Sequence, residues 1–139
     1  MATIMVIDDE PSIRGLLREV LERSGHKLVE AKDGREALDL YQKHKADLLI
    51  MDLLMLEVDG LEATLQLTRE YMDTKIIAMT GAQGDRNFLD IAKLFGAHRT
   101  FAVQTTVQFQ LVAFKIAGVV VLGHRGLSHI IEHVQDVQL

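Results

Sequence analysis

The chain reads as an α/β protein in which a parallel sheet is covered by helices, and three observations point there. Short β-type runs alternate with helical patterns through the first hundred residues, as in a succession of βα units. Residues 48–51, Leu-Leu-Ile-Met, run apolar without alternation, the pattern of a strand covered on both faces. A length of 139 residues without cysteine suits a single domain that buries its core without disulfides or thiolate-bound zinc.

The first strand is expected at residues 2–7, ending in Asp8-Asp9-Glu10. Pro11 follows where a first helical turn tolerates a missing N–H. Ile13, Leu16, Leu17, Val20 and Leu21 then recur at helical spacing up to Ser24-Gly25. The second strand is residues 27–31. Asp33 and Glu36 have the spacing of a capping box ahead of Ala37, Leu38, Leu40 and Tyr41 on a second helix. The third strand, residues 47–51, ends at Asp52, and a helix carrying Leu61, Leu65, Leu67 and Tyr71 is expected over 60–72. A fourth strand at 75–79 delivers Thr80 and a loop through Gly84. The fourth helix covers 85–95, with Phe88, Leu89, Ile91, Ala92 and Phe95, and a fifth strand covers 98–103. Met51, Met55 and Met72 read as core filler.

Beyond Val103 the patterning changes. Residues 105–122 fit two strands turning near Ala117-Gly118 or one poorly patterned helix, with strands favoured. Leu127, Ile130, Ile131, Val134 and Val137 then form an amphipathic helix. His129, Glu132 and His133 have the spacing of one zinc-protease motif, but they lie off the apolar stripe and read more simply as a solvated face. Residues 118–126 superficially resemble a phosphate loop, yet lack its glycine order and its Lys-Ser/Thr ending. The division expected is a βα core at 1–103 and an atypical segment at 104–139.

Charge and composition narrow the function. Twenty acidic against 15 basic side chains, for a net −5, argue against a surface built to contact nucleic acid. The absence of cysteine excludes thiol catalysis. No run approaches the about 20 apolar residues of a membrane span, and the N-terminus lacks a secretory pattern, so a cytoplasmic location is expected. In an open parallel sheet, ligands bind beyond the carboxyl ends of the strands. Here those ends carry Asp8, Asp9, Asp52 and Thr80. Confined carboxylates raise one another's pKa unless a cation joins them, and Mg2+ suits oxygen ligands plus phosphate oxygens. That combination fits phosphoryl transfer to a carboxylate, with a nearby hydroxyl as a donor.

Ile7-Asp8-Asp9-Glu10-Pro11, Met51-Asp52-Leu53-Leu54-Met55 with Asp59-Gly60-Leu61-Glu62, and Met79-Thr80-Gly81-Ala82 together resemble the response-regulator receiver domain of two-component signalling, over about residues 1–101. The resemblance implies a flavodoxin-like, doubly wound, five-stranded parallel sheet with five flanking helices, as in CheY-like proteins. It implies that Asp52 is the phosphoacceptor, and that Asp8, Asp9, Asp52 and the backbone carbonyl of Leu54 bind Mg2+. Thr80 becomes the switch hydroxyl. The implied partner is a sensor histidine kinase or phosphotransfer protein in a phosphorelay, and the implied role is a signalling phosphoacceptor capable at most of self-phosphorylation and autodephosphorylation.

The family pattern also expects a lysine and a proline where this chain has Val103 and Gln104, a proline at Leu56, and an aromatic at Thr100. Without that lysine, a charge-assisted contact of roughly 1.5–3 kcal/mol is missing. The alternative reading is therefore a receiver-fold binding module that does not switch. Exposed β edges recruit partners, so the tail also suggests a homodimer formed through residues 104–139.

Overall fold

The computed structural model describes residues 2–53, 60–80 and 86–102. The elements in chain order are β1 (Thr3–Ile7), α1 (Pro11–Arg23), β2 (Lys27–Ala31), α2 (Gly34–His44), β3 (Leu48–Asp52), α3 (Gly60–Glu70), β4 (Ile76–Thr80), α4 (Arg86–Leu94) and β5 (Arg99–Ala102). All five strands are parallel, in the order β2-β1-β3-β4-β5. This is the flavodoxin-like arrangement expected from the sequence, with strand boundaries shifted by at most one residue.

The sheet is covered on both faces. Ile4, Val6, Leu48, Ile50, Ile77, Met79 and Phe101 point to the side of α1, whose Leu17, Val20 and Leu21 belong to the same cluster. Met5, Ile7, Leu49, Met51, Ile76 and Ala78 point the other way, to Ala37 and Tyr41 of α2, Leu61, Ala63 and Leu67 of α3, and Ala92 of α4. Because neighbouring residues of a strand face opposite sides, a strand buried on both must be apolar throughout. β1, β3 and β4 obey this except at their ends, where Thr3, Asp52 and Thr80 stand, whereas β2 and β5, at the edges, carry Lys27, Glu30 and Arg99.

Local chemistry accounts for the helix ends. The Glu36 N–H donates to the Asp33 side chain at 2.8 Å, half of the expected capping box, and starts α2. The Tyr71 N–H still donates to Leu67 at 2.9 Å, but the chain then turns, with the Thr74 N–H donating to the Tyr71 carbonyl at 3.1 Å. That early end to α3 corrects one expectation. Met72 lies in the turn at 92 % exposure, outside the core. Met51 is fully buried, as expected.

Met55, the Leu54 carbonyl, Leu56, Val103, Gln104, the strands and helix anticipated in the tail, and the 103/104 division all lie outside the described residues.

Candidate functional site

The strand order fixes where a site can form. The connection from β1 runs outward to β2, then the chain crosses back to β3, so a crevice opens beyond the carboxyl ends of β1 and β3. Pairing of Ile7 with Met51 brings those ends level. Asp8 and Asp9 follow one strand and Asp52 closes the other, and one carboxylate oxygen from each of the three lies within 4.8 Å of the rest.

Asp8 is held through its backbone and its side chain. Its N–H donates to the Ala31 carbonyl at 3.1 Å, extending the pairing with β2. Its Oδ1 accepts the Glu10 N–H at 2.9 Å, and its carbonyl accepts from Arg14 Nη1 at 2.6 Å. The residue is 4 % exposed. Burial pushes its carboxyl up to about 6, with the Asp9 and Glu10 charges adding to the rise and the Glu10 N–H opposing it. Asp9 does not cap α1; Glu10 occupies that position without a side-chain bond to the helix, and its own N–H goes to Asp8.

On the neighbouring strand, Asp52 pairs with Met79, so Thr80 stands one residue further along at the end of β4. Thr80 is 1 % exposed, and its hydroxyl has no hydrogen-bond partner among the described residues. A buried hydroxyl without a partner costs free energy, and an incoming acceptor oxygen would relieve that cost. Gly60 approaches from α3. A Cβ there would lie 2.1 Å from the Asp52 carbonyl oxygen and 2.6 Å from the Leu53 Cα. Only glycine allows this contact, so the start of α3 presses directly on the backbone of Asp52.

The donor set fits a hard divalent cation. All three side chains offer carboxylate oxygens, and the raised Asp8 marks charge held at a cost that a cation would remove. The sequence brought out Asp8, Asp9, Asp52 and Thr80 but neither Arg14 nor Gly60 as site-shaping residues. Arg14 and Arg18, four apart on α1, look like an ordinary solvated face, and Gly60 carries no chemistry of its own. The Asp-Gly pair at 59–60 was the available signal.

Comparison with known proteins agrees with this geometry. A family model described as the response regulator receiver domain matches residues 4–102. Sporulation initiation phosphotransferase F of Bacillus subtilis is 32 % identical over 99 residues, covering 71 % of this chain and 79 % of that protein. The alkaline phosphatase synthesis transcriptional regulatory protein PhoP of B. subtilis is 40 % identical over 77 residues, 55 % of this chain and 32 % of that protein. Response regulator GtcR of Aneurinibacillus migulanus is 42 % identical over 69 residues, 50 % of this chain and 28 % of that protein. The chain thus spans about a third of the length of the last two relatives. Among solved structures, the response regulator TrrA of Thermotoga maritima, in complex with Mg(2+)-BeF, is similar with a TM-score of 0.70 and 31 % identity, over 85 % of this chain and 98 % of that one. Chemotaxis protein CheY4 of Vibrio cholerae gives a TM-score of 0.71 and 27 % identity, over 80 % and 93 % respectively.

Proposed function

Because this chain belongs to the response regulator receiver domain family, we propose that it is a two-component signalling module in which Asp52 accepts a phosphoryl group from a sensor histidine kinase or phosphotransfer protein. The observation that carries this is the gathering of Asp8, Asp9 and Asp52 within 4.8 Å at the sheet's carboxyl edge. An Asp52 carboxylate oxygen attacks the phosphorus in line. The bond from phosphorus to the donor's imidazole nitrogen breaks, and its electron pair leaves with the imidazole. Asp8, Asp9 and Asp52, with the Leu54 carbonyl, are the residues proposed to hold Mg2+. When bound, that ion supplies positive charge against the phosphoryl oxygens.

Asp8 and Thr80 are buried beside a half-buried Asp52, and contacts made on the buried side of the site are stronger than they would be in open water. The Thr80 hydroxyl, without a partner among the described residues, donates to a phosphoryl oxygen once Asp52 is modified. Water later hydrolyses the acyl phosphate, so the protein gains and loses phosphate without acting as a metabolic enzyme. The TrrA complex with Mg(2+)-BeF and the name of the sporulation phosphotransferase support this reading by similarity.

No described helix is long and apolar enough to cross a membrane, and we propose a cytoplasmic module without direct nucleic-acid contact. The family match ends at residue 102, which supports a division between a core at 1–103 and a distinct segment at 104–139. We retain the proposal that this segment mediates a homodimer. Val103, where the family pattern has lysine, favours one second reading, a binding module that takes up phosphate poorly and does not switch.

Intact-mass measurement after incubation with acetyl phosphate and Mg2+ separates the two. We expect one phosphoryl adduct on the wild type, lost in Asp52→Asn and with EDTA. An unmodified wild type would leave the binding module.

A further inference from the structure

Asp8 and Asp9 sit on the connection between β1 and α1, and a connecting segment does not hold its own shape. The bonds that fix it converge on β2. The Asp8 N–H is tied to the Ala31 carbonyl at 3.1 Å. At the other end of the residue, the Asp8 carbonyl accepts from Arg14 Nη1 at 2.6 Å, and Arg14 Nε lies 3.4 Å from Glu30 Oε1. Glu30 directly precedes Ala31. Two consecutive residues of β2 therefore hold both sides of Asp8, one through the backbone and one through the Arg14 side chain.

Glu30 is itself braced. Its Oε2 takes Arg18 through Nε at 2.9 Å and Nη2 at 2.7 Å, and Arg18 also pairs with Glu22. With Oε2 occupied by Arg18, Oε1 is the oxygen left facing Arg14. The Arg14 side chain is 18 % exposed and that of Glu30 is 30 % exposed, so this pair is shielded more than a typical surface ion pair.

We infer that Arg14 is a positioning residue for the acidic site: anchored by Glu30, it fixes the Asp8–Asp9 peptide through the Asp8 carbonyl and so sets the geometry in which the two carboxylates meet Asp52. This rests on the reading of the trio as a Mg2+ site. It makes a prediction opposite in sign to simple electrostatics. A guanidinium close to a carboxylate cluster competes with a cation, so a residue acting by charge alone would tighten Mg2+ binding when removed. A residue that orients the ligands weakens binding when removed, because partners behind metal ligands typically contribute about 10–100-fold in affinity.

The test is calorimetric titration of the full chain with Mg2+, beside the Mg2+ dependence of acyl phosphate labelling. For Arg14→Gln we expect roughly tenfold weaker Mg2+ binding, at the lower end of that range. Labelling at saturating Mg2+ is expected to stay within about twofold, because neither Arg14 nor Glu30 is one of the three gathered carboxylates. Glu30→Gln should weaken binding in the same direction, and the double variant should be no worse than the poorer single one. Arg14→Lys, which keeps the charge but not the fork, should not restore wild-type affinity. Unchanged or tighter binding in a folded Arg14→Gln protein overturns the inference while leaving the Mg2+ site intact. Failure of the wild type to bind Mg2+ overturns both.

Discussion

At the scale of single residues, the environment of Asp8 has a consequence that can be followed with pH. Its folded pKa of about 6 lies above the ordinary 3.8, so the folded state binds the proton more tightly. Below pH 3.8 both states are protonated and no penalty exists. As pH rises toward 6 the metal-free folded state loses stability relative to the unfolded chain, and above 6 the full penalty, on the order of 3 kcal/mol, is present. In EDTA, Asp8→Asn should therefore raise the melting temperature at pH 7 by several degrees and remove this site's contribution to the slope between pH 4 and 6. The same variant should lose the stabilisation that Mg2+ confers on the wild type. A lower melting temperature for Asp8→Asn in EDTA would falsify the account of Asp8 as a strained carboxylate.

Gly60 gives a second test at this scale. Gly60→Ala puts a carbon where the Asp52 carbonyl now stands, 2.1 Å away, and backbone must move. We expect a loss of about 1–3 kcal/mol in urea unfolding. Labelling of Asp52 should slow further, up to roughly 100-fold, because misplacing a reacting group by about an ångström costs that much. His26 behaves in the opposite sense to Asp8. It is 4 % exposed, its Nδ1 accepts the Ala2 N–H at 3.2 Å, and burial holds its pKa below 6.5. Its contribution is present above pH 6.5 and is lost as acid protonates the unfolded chain first.

At the scale of elements, α2 shows how much of the molecule could be read in advance. Asp33 and Glu36 announced its start, and the Asp33 side chain does accept the Glu36 N–H. Its end was not legible. Lys45 closes the helix in the left-handed region, at φ 45°, with its N–H donating to Tyr41 at 2.8 Å. Nothing in the run Lys-His-Lys-Ala marks such a conformation, which glycine usually supplies. Lys45→Gly should accordingly stabilise the protein by up to about 1 kcal/mol, measured as a higher urea midpoint at unchanged m-value.

The apolar strands were equally legible, because burial on two faces leaves no room for polar alternation. The candidate site was legible in its carboxylates, since acids directly after apolar strands are conspicuous. Arg14 and Glu30 were not, because the guanidinium meets a backbone carbonyl, and a carbonyl leaves no mark in a sequence. The position of Met72 was missed because helical periodicity continues through Tyr71, while the turn after it is closed by the Thr74 N–H on the Tyr71 carbonyl, and a backbone bond leaves no mark in a sequence.

For the molecule as a whole, the two faces of the sheet are unequally served by the described helices. Three of them, α2, α3 and α4, contribute to one face. On the other, α1 packs against β1 and β2, yet Ile77, Met79 and Phe101, on β4 and β5, are at most 8 % exposed. Deleting residues 103–139 tests whether that burial depends on the tail. We expect the shortened chain to bind a hydrophobic dye and to lose cooperative unfolding, as apolar surface of this kind does when left open to water. Retained cooperativity would mean that the first 102 residues close the core alone.

The placement of β1 between β2 and β3 also carries a consequence for how the chain acquires its shape during synthesis. Once residue 53 has been made, the chain contains every strand of the half-sheet β2-β1-β3 and with it Asp8, Asp9 and Asp52. β4 and β5 then add one after the other to a single growing edge, in the order in which they are made. Each late strand finds a finished template, and no strand has to be inserted between two already paired. Thr80 is made after all three carboxylates, so a half-sheet formed at that stage would hold their mutual repulsion without it. A divalent cation binding the three carboxylates would favour such a half-sheet by mass action, which links the ion proposed for signalling to the order of folding.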